Sequence, residues 1–125
     1  MSSGMKKHRL LIVDDESDLR ELLSEVLISE GYEIVTASDG AEAIGILERE
    51  KFDAALLDIL MPNENGFTVL KHISEHHPST KSIMLTGHSD LHTAVEAKNN
   101  GAAEFISKPY KLETVLSALR KVLNM

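Results

Sequence analysis

The stretch Leu10-Leu11-Ile12-Val13-Asp14-Asp15 is a short apolar run that ends directly in two acids. Its apolar part shows no alternation of polar and apolar residues, which predicts a strand buried on both faces, as in a parallel sheet covered by helices. Four similar runs follow, at residues 34–37, 54–57, 83–85 and 105–106. The sequence therefore predicts five strands.

Between these runs, apolar residues recur at helical spacing. The first stripe holds positions i, i+3, i+4, i+7 and i+8, namely Leu19, Leu22, Leu23, Val26 and Leu27. Residues 112–123 repeat this spacing, and weaker stripes lie at 43–47, 67–73 and 94–97. Strands that alternate with helices predict an α/β fold with right-handed crossovers and helices on both faces of the sheet.

Local signals mark where these helices start and stop. Gly31 is a predicted stop for the first helix, and Pro78 and Gly101 are expected to follow the ends of the third and fourth. Ser38 or Asp39 is expected to cap the second helix. For the fourth helix, the candidate caps are Ser89 and Asp90.

Composition excludes several classes of function. The 125 residues include 13 Lys+Arg, 20 Asp+Glu and no cysteine, for a net charge of −7. The missing cysteines exclude disulfides, thiolate metal sites and thiol catalysis, and the acidic balance argues against direct binding to nucleic acid or anionic membranes. No apolar run approaches the ~20 residues of a membrane span. We expect one cytoplasmic domain over residues 8–124, with residues 1–7 an expression remnant or a disordered N-terminus.

The candidate site follows from where the strands end. Ligands of an open α/β sheet bind outside the carboxyl ends of its strands. The residues that directly follow the runs carry the chemistry there: Asp14, Asp15, Asp58, Thr86 and Lys108. Three carboxylates at close range are tolerable only with balancing charge, which a divalent cation and the lysine would supply. Oxygen ligands alone favour Mg²⁺, whereas simple helix capping by the acids would not require a lysine opposite them.

This set of residues suits phosphoryl transfer. A carboxylate such as Asp58 can attack phosphorus and form an aspartyl phosphate, while Mg²⁺ and Lys108 neutralise charge on the transferring group. Thr86 can donate its hydroxyl to a phosphoryl oxygen, and Gly87 leaves room for the incoming group. The added negative charge would draw hydrogen-bond donors towards the site, which indicates a switch.

With these motifs in place, the chain resembles a two-component response-regulator receiver domain. The matching segments are 11–16, 57–62 with Gly66, 85–87 and 105–109, in the family's order over residues 8–124. The resemblance implies a flavodoxin-like (βα)5 three-layer sandwich with a parallel five-stranded sheet in the order 2-1-3-4-5. It also implies that the chain is not an enzyme and catalyses only its own phosphorylation and dephosphorylation.

The resemblance also implies the metal ligands and the phosphoacceptor. Asp15, Asp58 and the backbone carbonyl of Leu60 would bind Mg²⁺ directly, and Asp14 would reach it through water. Asp58 would accept the phosphoryl group from a sensor histidine kinase, a phosphotransfer protein or a small phosphodonor such as acetyl phosphate.

Further implied roles concern the response to phosphorylation. Thr86 and Phe105 would be the coupled switch pair, and the Lys108–Pro109 peptide bond would be cis. The face made by the fourth helix, the fifth strand and the fifth helix would contact an output domain, an effector protein or a second copy of the chain. No output domain is expected within these residues, and whether the chain stands alone or comes from a longer regulator stays open.

Two positions that influence dephosphorylation in the family are Leu60 and His88 here. Leu60 cannot hydrogen-bond an attacking water, so we expect a long-lived phosphoryl group. His88 either orients a water or simply lies exposed.

Three alternative interpretations have less support from the sequence. His72, His76 and His77, and the pair His88 and His92, could bind zinc, but without further ligands they are interpreted as solvated helix faces. A phosphatase of the haloacid-dehalogenase-like class would need Asp-x-Asp after the first strand, which is missing. A receiver-like interaction module that is never phosphorylated would not need the full set of acids and the lysine.

Overall fold

The computed structural model describes residues 7–59, 66–87 and 91–124, in which strands and helices alternate as predicted. The strands run slightly beyond the apolar runs, so Asp58 and Thr86 are the last residues of their strands. The elements in chain order are β1 (Arg9–Val13), α1 (Ser17–Ser29), β2 (Glu33–Ala37), α2 (Gly40–Leu47), β3 (Ala54–Asp58), α3 (Gly66–His76), β4 (Lys81–Thr86), α4 (Leu91–Asn99), β5 (Glu104–Ser107) and α5 (Leu112–Val122).

The five strands form one parallel sheet in the order β2-β1-β3-β4-β5, which confirms the predicted topology. The chain moves outward from β1 to β2, returns past β1 to β3, and then continues to β4 and β5. The strand order thus reverses between β1 and β3. The crevice at the carboxyl ends of these two strands is where such sheets bind ligands.

Helices cover both faces of the sheet. In one layer α1 and α5 pack against the sheet, with Leu23 and Leu119 fully buried. In the opposite layer α2, α3 and α4 do the same, with Val69 and Ala97 fully buried. Because β3 is covered from both sides and flanked by two strands on one side and two on the other, all its residues are buried. Burial on both faces explains why the strand runs lack polar alternation.

The local start and stop signals act as expected where the structure describes them. Gly31 follows α1 at φ +99° and Gly101 follows α4 at φ +100°, a conformation that glycine adopts without a Cβ penalty. Asp39 rather than Ser38 caps α2, since its Oδ1 accepts a hydrogen bond from the Glu42 backbone at 2.8 Å. Ser89 and Asp90 lie outside the described residues. No helix in the described ranges has both the length and the apolarity to cross a membrane.

Two expectations about burial were wrong. Leu22, placed in the apolar stripe of α1, is 50% exposed, because the stripe that contacts the sheet is narrower than the pattern suggests. The second strand was expected to be buried on both faces, but Ile34 and Val35 are only half-buried and Thr36 is exposed. This strand lies at the edge of the sheet, where helix cover on each face is incomplete.

Candidate functional site

Asp14, Asp58 and Lys108 meet at the carboxyl edge of the sheet. The Lys108 Nζ lies 3.5 Å from Asp14 Oδ2 and 3.4 Å from Asp58 Oδ2. Asp14 is 1% exposed and Asp58 4%, so both carboxylates are removed from bulk water. Three strands far apart in sequence therefore bring two buried acids to one ammonium group.

The pleat of the sheet explains why these three side chains share one side. Alternate residues of a strand point to the same face. Asp14, Asp58 and Lys108 each lie two positions after a residue that packs in the α1/α5 layer. Those residues are, in the same order, Ile12, Leu56 and Ile106. The site thus continues the face that α1 and α5 cover.

Asp14 is held in place by the chain that follows it. Its Oδ1 accepts a hydrogen bond from the Glu16 backbone at 2.9 Å, and its carbonyl accepts one from Arg20 Nη1 at 2.6 Å. Because Arg20 lies in the first turns of α1, the start of that helix is tied to the end of β1. A buried carboxylate with such contacts is positioned rather than free to rotate.

Glu16 is a member of the cluster that the sequence reading missed. Its Oε1 lies 3.7 Å from Lys108 Nζ, and carboxylate oxygens of Asp14, Glu16 and Asp58 all lie within 4.8 Å of one another. Asp15, predicted to be a direct metal ligand, is exposed and does not belong to this group. Its ligand role therefore stays a prediction. The sequence prediction included only the residues that directly follow Val13. The longer side chain of Glu16, further along the loop, also reaches the edge of the sheet.

The acidic group suits a hard divalent cation. The oxygens of these three carboxylates lie within 4.8 Å of one another, close enough for the group to be a candidate site for one ion. All three side chains are carboxylates, and Mg²⁺ prefers oxygen ligands of this kind. The backbone carbonyl of Leu60, a predicted ligand, lies outside the described residues.

Lys108 is charged in this setting. Burial alone would lower the pKa of its ammonium group, but the negative charges of Asp14, Asp58 and Glu16 outweigh that effect and raise it. Lys108 also donates its backbone N–H to the Thr86 carbonyl at 2.6 Å, which fixes the start of the loop after β5. The following Lys108–Pro109 bond is cis, as the resemblance implied.

Thr86 and Phe105 lie on the opposite face of the sheet from the acids. Thr86 is fully buried and follows Met84 of the α2–α4 layer by two positions. Thr86 pairs in register with Ser107 of β5. Phe105, two residues before Ser107, is half-buried and packs against the same α2–α4 layer. The predicted switch pair is thus adjacent on one face, while its role in switching stays a prediction.

Gly66 begins α3 directly against the backbone of Asp58. A Cβ at this position would lie 2.9 Å from the Ile59 Cα and even closer to the Asp58 carbonyl oxygen. The Gly66 N–H donates to the Ile59 carbonyl at 2.9 Å, so the two segments cannot separate without losing this bond. Glycine is required here because the two backbones approach too closely to leave room for a Cβ.

Gly66→Ala is expected to lower the free energy of unfolding by about 2 kcal/mol, since overpacking against a backbone typically costs 1–3 kcal/mol. Urea unfolding followed by circular dichroism measures this. The matched control is Gly45→Ala in α2, where a Cβ would meet only Arg49 Nη1 at 3.7 Å. That variant should be neutral or stabilised by up to about 1 kcal/mol, because alanine favours a helix. Equal stability of the two variants would contradict the close approach at Gly66.

The histidines at the end of α3 differ from expectation. His76 is exposed, but His72 and His77 are half-buried, so the interpretation as a solvated helix face is wrong for these two. Their rings lie beside one another, with the His72 centroid 4.7 Å from that of His76 and 5.5 Å from that of His77. His88 lies outside the described residues, and His92 is exposed on α4.

Comparison with known proteins agrees with this geometry. Residues 10–120 match the response regulator receiver domain family. The chain is 38% identical over 120 residues to the response regulator protein PilR of Pseudomonas aeruginosa, a match that covers 93% of this chain but 27% of PilR. It is 35% identical over 118 residues to the chemotaxis protein CheY of Bacillus subtilis, covering 94% of this chain and 98% of CheY. The solved structure of the response regulator protein TrrA from Thermotoga maritima, in complex with Mg²⁺-BeF, is 35% identical with a TM-score of 0.84, covering 93% and 99% of the two chains.

Proposed function

We propose that Asp58 accepts a phosphoryl group and that this modification switches the protein, because the chain belongs to the family of response regulator receiver domains. The observation that carries the proposal is the position of Asp58. It ends the central strand β3 and is buried, with its Oδ2 3.4 Å from Lys108 Nζ. A fixed carboxylate beside a cation is suited to attack phosphorus.

The donor in this proposal is a sensor histidine kinase or a phosphotransfer protein, with acetyl phosphate as a small substitute. A carboxylate oxygen of Asp58 forms the new bond to phosphorus while the bond from phosphorus to the donor breaks, and the donor leaves with the electron pair. Lys108 offsets the negative charge that accumulates on the transferring group. The chain modifies only itself and does not turn over an external metabolite.

Magnesium fits the same proposal. Asp58 and Asp15, with the Leu60 carbonyl, would hold the ion directly and Asp14 would do so through water, as the resemblance implies. Glu16 faces the same space, because its carboxylate lies within 4.8 Å of those of Asp14 and Asp58. A bound Mg²⁺ would supply positive charge against the phosphoryl oxygens. The relative TrrA, solved with Mg²⁺-BeF, supports this assignment.

The phosphoryl signal would pass through Thr86 and Phe105 to the face formed by α4, β5 and α5. Phe105 lines an open pocket of about 230 Å³ together with Ala94 and Lys98 of α4, so the ring lies at the boundary between β5 and α4. Val95 is 49% exposed, so α4 presents apolar surface that a partner could cover. The partner would be an output domain, an effector protein or a second copy of the chain in a homodimer.

The proposal places the chain in the cytoplasm, the usual compartment of receiver domains, as one domain over residues 8–124. Relatives differ in what lies beyond this region, since the chain spans 27% of PilR but 98% of CheY. Neither direct nucleic-acid binding nor membrane binding is part of the proposal.

Incubation with acetyl phosphate tests the proposal, with intact mass and released phosphate as readouts. In Mg²⁺ we expect a single phosphoryl adduct on each molecule, and in excess EDTA we expect none, because the acids then lack their counterion. No adduct in Mg²⁺ would instead favour an interaction module. Phosphate release over many rapid turnovers would favour a phosphatase.

Leu60 is expected to make the phosphoryl group long-lived. Its side chain cannot hydrogen-bond a water that attacks the aspartyl phosphate, whereas an amide could. We expect Leu60→Asn to speed loss of the adduct by about tenfold, less than the roughly 10²–10⁴-fold of a group that transfers a proton itself, because an amide only orients the water. The decay of the labelled adduct after donor removal measures it. Turnover within seconds in the wild type, or an unchanged rate in the variant, would contradict the prediction.

A further inference from the structure

Three imidazoles lie together at the C-terminal end of α3, away from the phosphoryl site. The ring centroids of His72 and His76 are 4.7 Å apart, and those of His72 and His77 are 5.5 Å apart. His76 lies about 15 Å along the helix from Gly66, which contacts Asp58, at a rise of 1.5 Å per residue. Binding at this end of α3 is therefore separable from chemistry at the acidic edge.

His72 has an unused ligand atom. Its Nε2 is buried, yet it has no hydrogen-bond partner among the described residues. A buried polar nitrogen without a partner is costly, and proteins normally satisfy such atoms with a protein group, a water or a metal ion. The rings of His76 and His77 lie beside the His72 ring, so imidazoles are available to share a ligand with it.

The electrostatics favour the metal-binding form of His72. Burial lowers the pKa of its imidazole, and positive charge on His76 or His77 lowers it further, while Glu48 and Glu75 act in the opposite direction. Because only a neutral imidazole can bind a metal ion, burial and the neighbouring rings both act in favour of binding. The carboxylates of Glu48 and Glu75 add negative charge near the imidazoles, which also favours a cation.

We propose that His72 and His76 form a two-imidazole chelate for a divalent transition-metal ion of the Zn²⁺ and Ni²⁺ type, with water completing its coordination. The two residues are four apart on α3 and face the same side of the helix. Two imidazoles on one tetrahedral ion have ring centroids about 5 Å apart, for metal–nitrogen distances of 2.0–2.1 Å, and the observed separation is close to this. Imidazole ligands select this class of ion over Mg²⁺, which prefers oxygen.

Calorimetric titration of the untagged protein with Ni²⁺ or Zn²⁺ tests the site, in excess Mg²⁺ to occupy the acidic edge. We expect one ion per chain in the wild type, and affinity at least about tenfold weaker in His72→Gln and in His76→Gln, since loss of even an outer-shell partner costs 10–100-fold. His8→Gln is the control and should bind as the wild type does. Because His76 is exposed, His76→Gln should fold normally even if His72→Gln does not.

Two further measurements separate the outcomes. Metal affinity should fall at acidic pH, because a proton on an imidazole nitrogen competes with the ion for its lone pair. Adduct formation at Asp58 should be unchanged in both histidine variants, so this inference can fail without affecting the proposed function. Wild-type affinity in His76→Gln, or no transition-metal binding by the wild type, would overturn the proposal.

Discussion

Asp58→Asn is expected to abolish the phosphoryl adduct completely. The neutral amide that replaces the carboxylate is too weak a nucleophile to attack phosphorus, while its similar shape allows it to occupy the same buried position at the end of β3. The fold should be retained, because the substitution removes one of two buried negative charges and Lys108 still has Asp14 as its partner. Intact mass after incubation with Mg²⁺ and acetyl phosphate measures the result.

Asp18→Asn is the matched control for this loss. Asp18 is an exposed acid in the first turn of α1, so the same chemical change there should leave the adduct unaffected. Circular dichroism should show that both variants are folded. An adduct on Asp58→Asn would place the phosphoacceptor elsewhere and contradict the assignment.

Lys108→Met is expected to destabilise the Mg²⁺-free protein by about 3 kcal/mol, because removing one partner of a buried ion pair leaves uncompensated charge at a cost of 3–5 kcal/mol. The lysine side chain is 18% exposed and its closest contacts are 3.4 and 3.5 Å, which favours the lower end of that range. Urea unfolding at neutral pH measures the loss. Added Mg²⁺ should restore part of the stability, since an ion that binds only the folded state stabilises it.

The pH dependence of this contribution follows from the raised pKa of Lys108. The stabilisation is fully present below the pKa that lysine has in the unfolded chain, about 10.4. It is lost only as the pH rises through the higher value of the folded state. Lys111→Met is the control, because this exposed lysine has no ion pair among the described residues. Equal destabilisation of the two variants would contradict the role of Lys108.

Much of the fold was predictable because periodicity is a local property. The apolar runs became strands, and the stripe of residues 112–123 became the buried side of α5. Leu22 was misplaced because pattern alone does not show how wide a contact a helix makes with the sheet. The second strand was misjudged because an apolar run looks the same at an edge as in the centre.

The candidate site was predictable in part, for a related reason. The residues that directly follow the strands include Asp14, Asp58 and Lys108, and parallel strands bring their carboxyl ends to one edge of the sheet. The sequence could not distinguish Asp15 from Glu16, because which loop side chain turns towards the lysine depends on the path of the loop. The sequence pattern predicted a solvated His72, because it does not show which rings pack beside one another.

Sequence specifies which residues form strands and helices and which chemistry follows each strand, because hydrophobic periodicity and residue type are written along the chain. Tertiary structure decides which face of the sheet each side chain joins. Thr86 and Phe105 lie on one face and the acids with Lys108 on the other, a division that follows from the register between strands. Register and loop path arise from packing between distant segments, which is why only the folded chain shows where its charges meet.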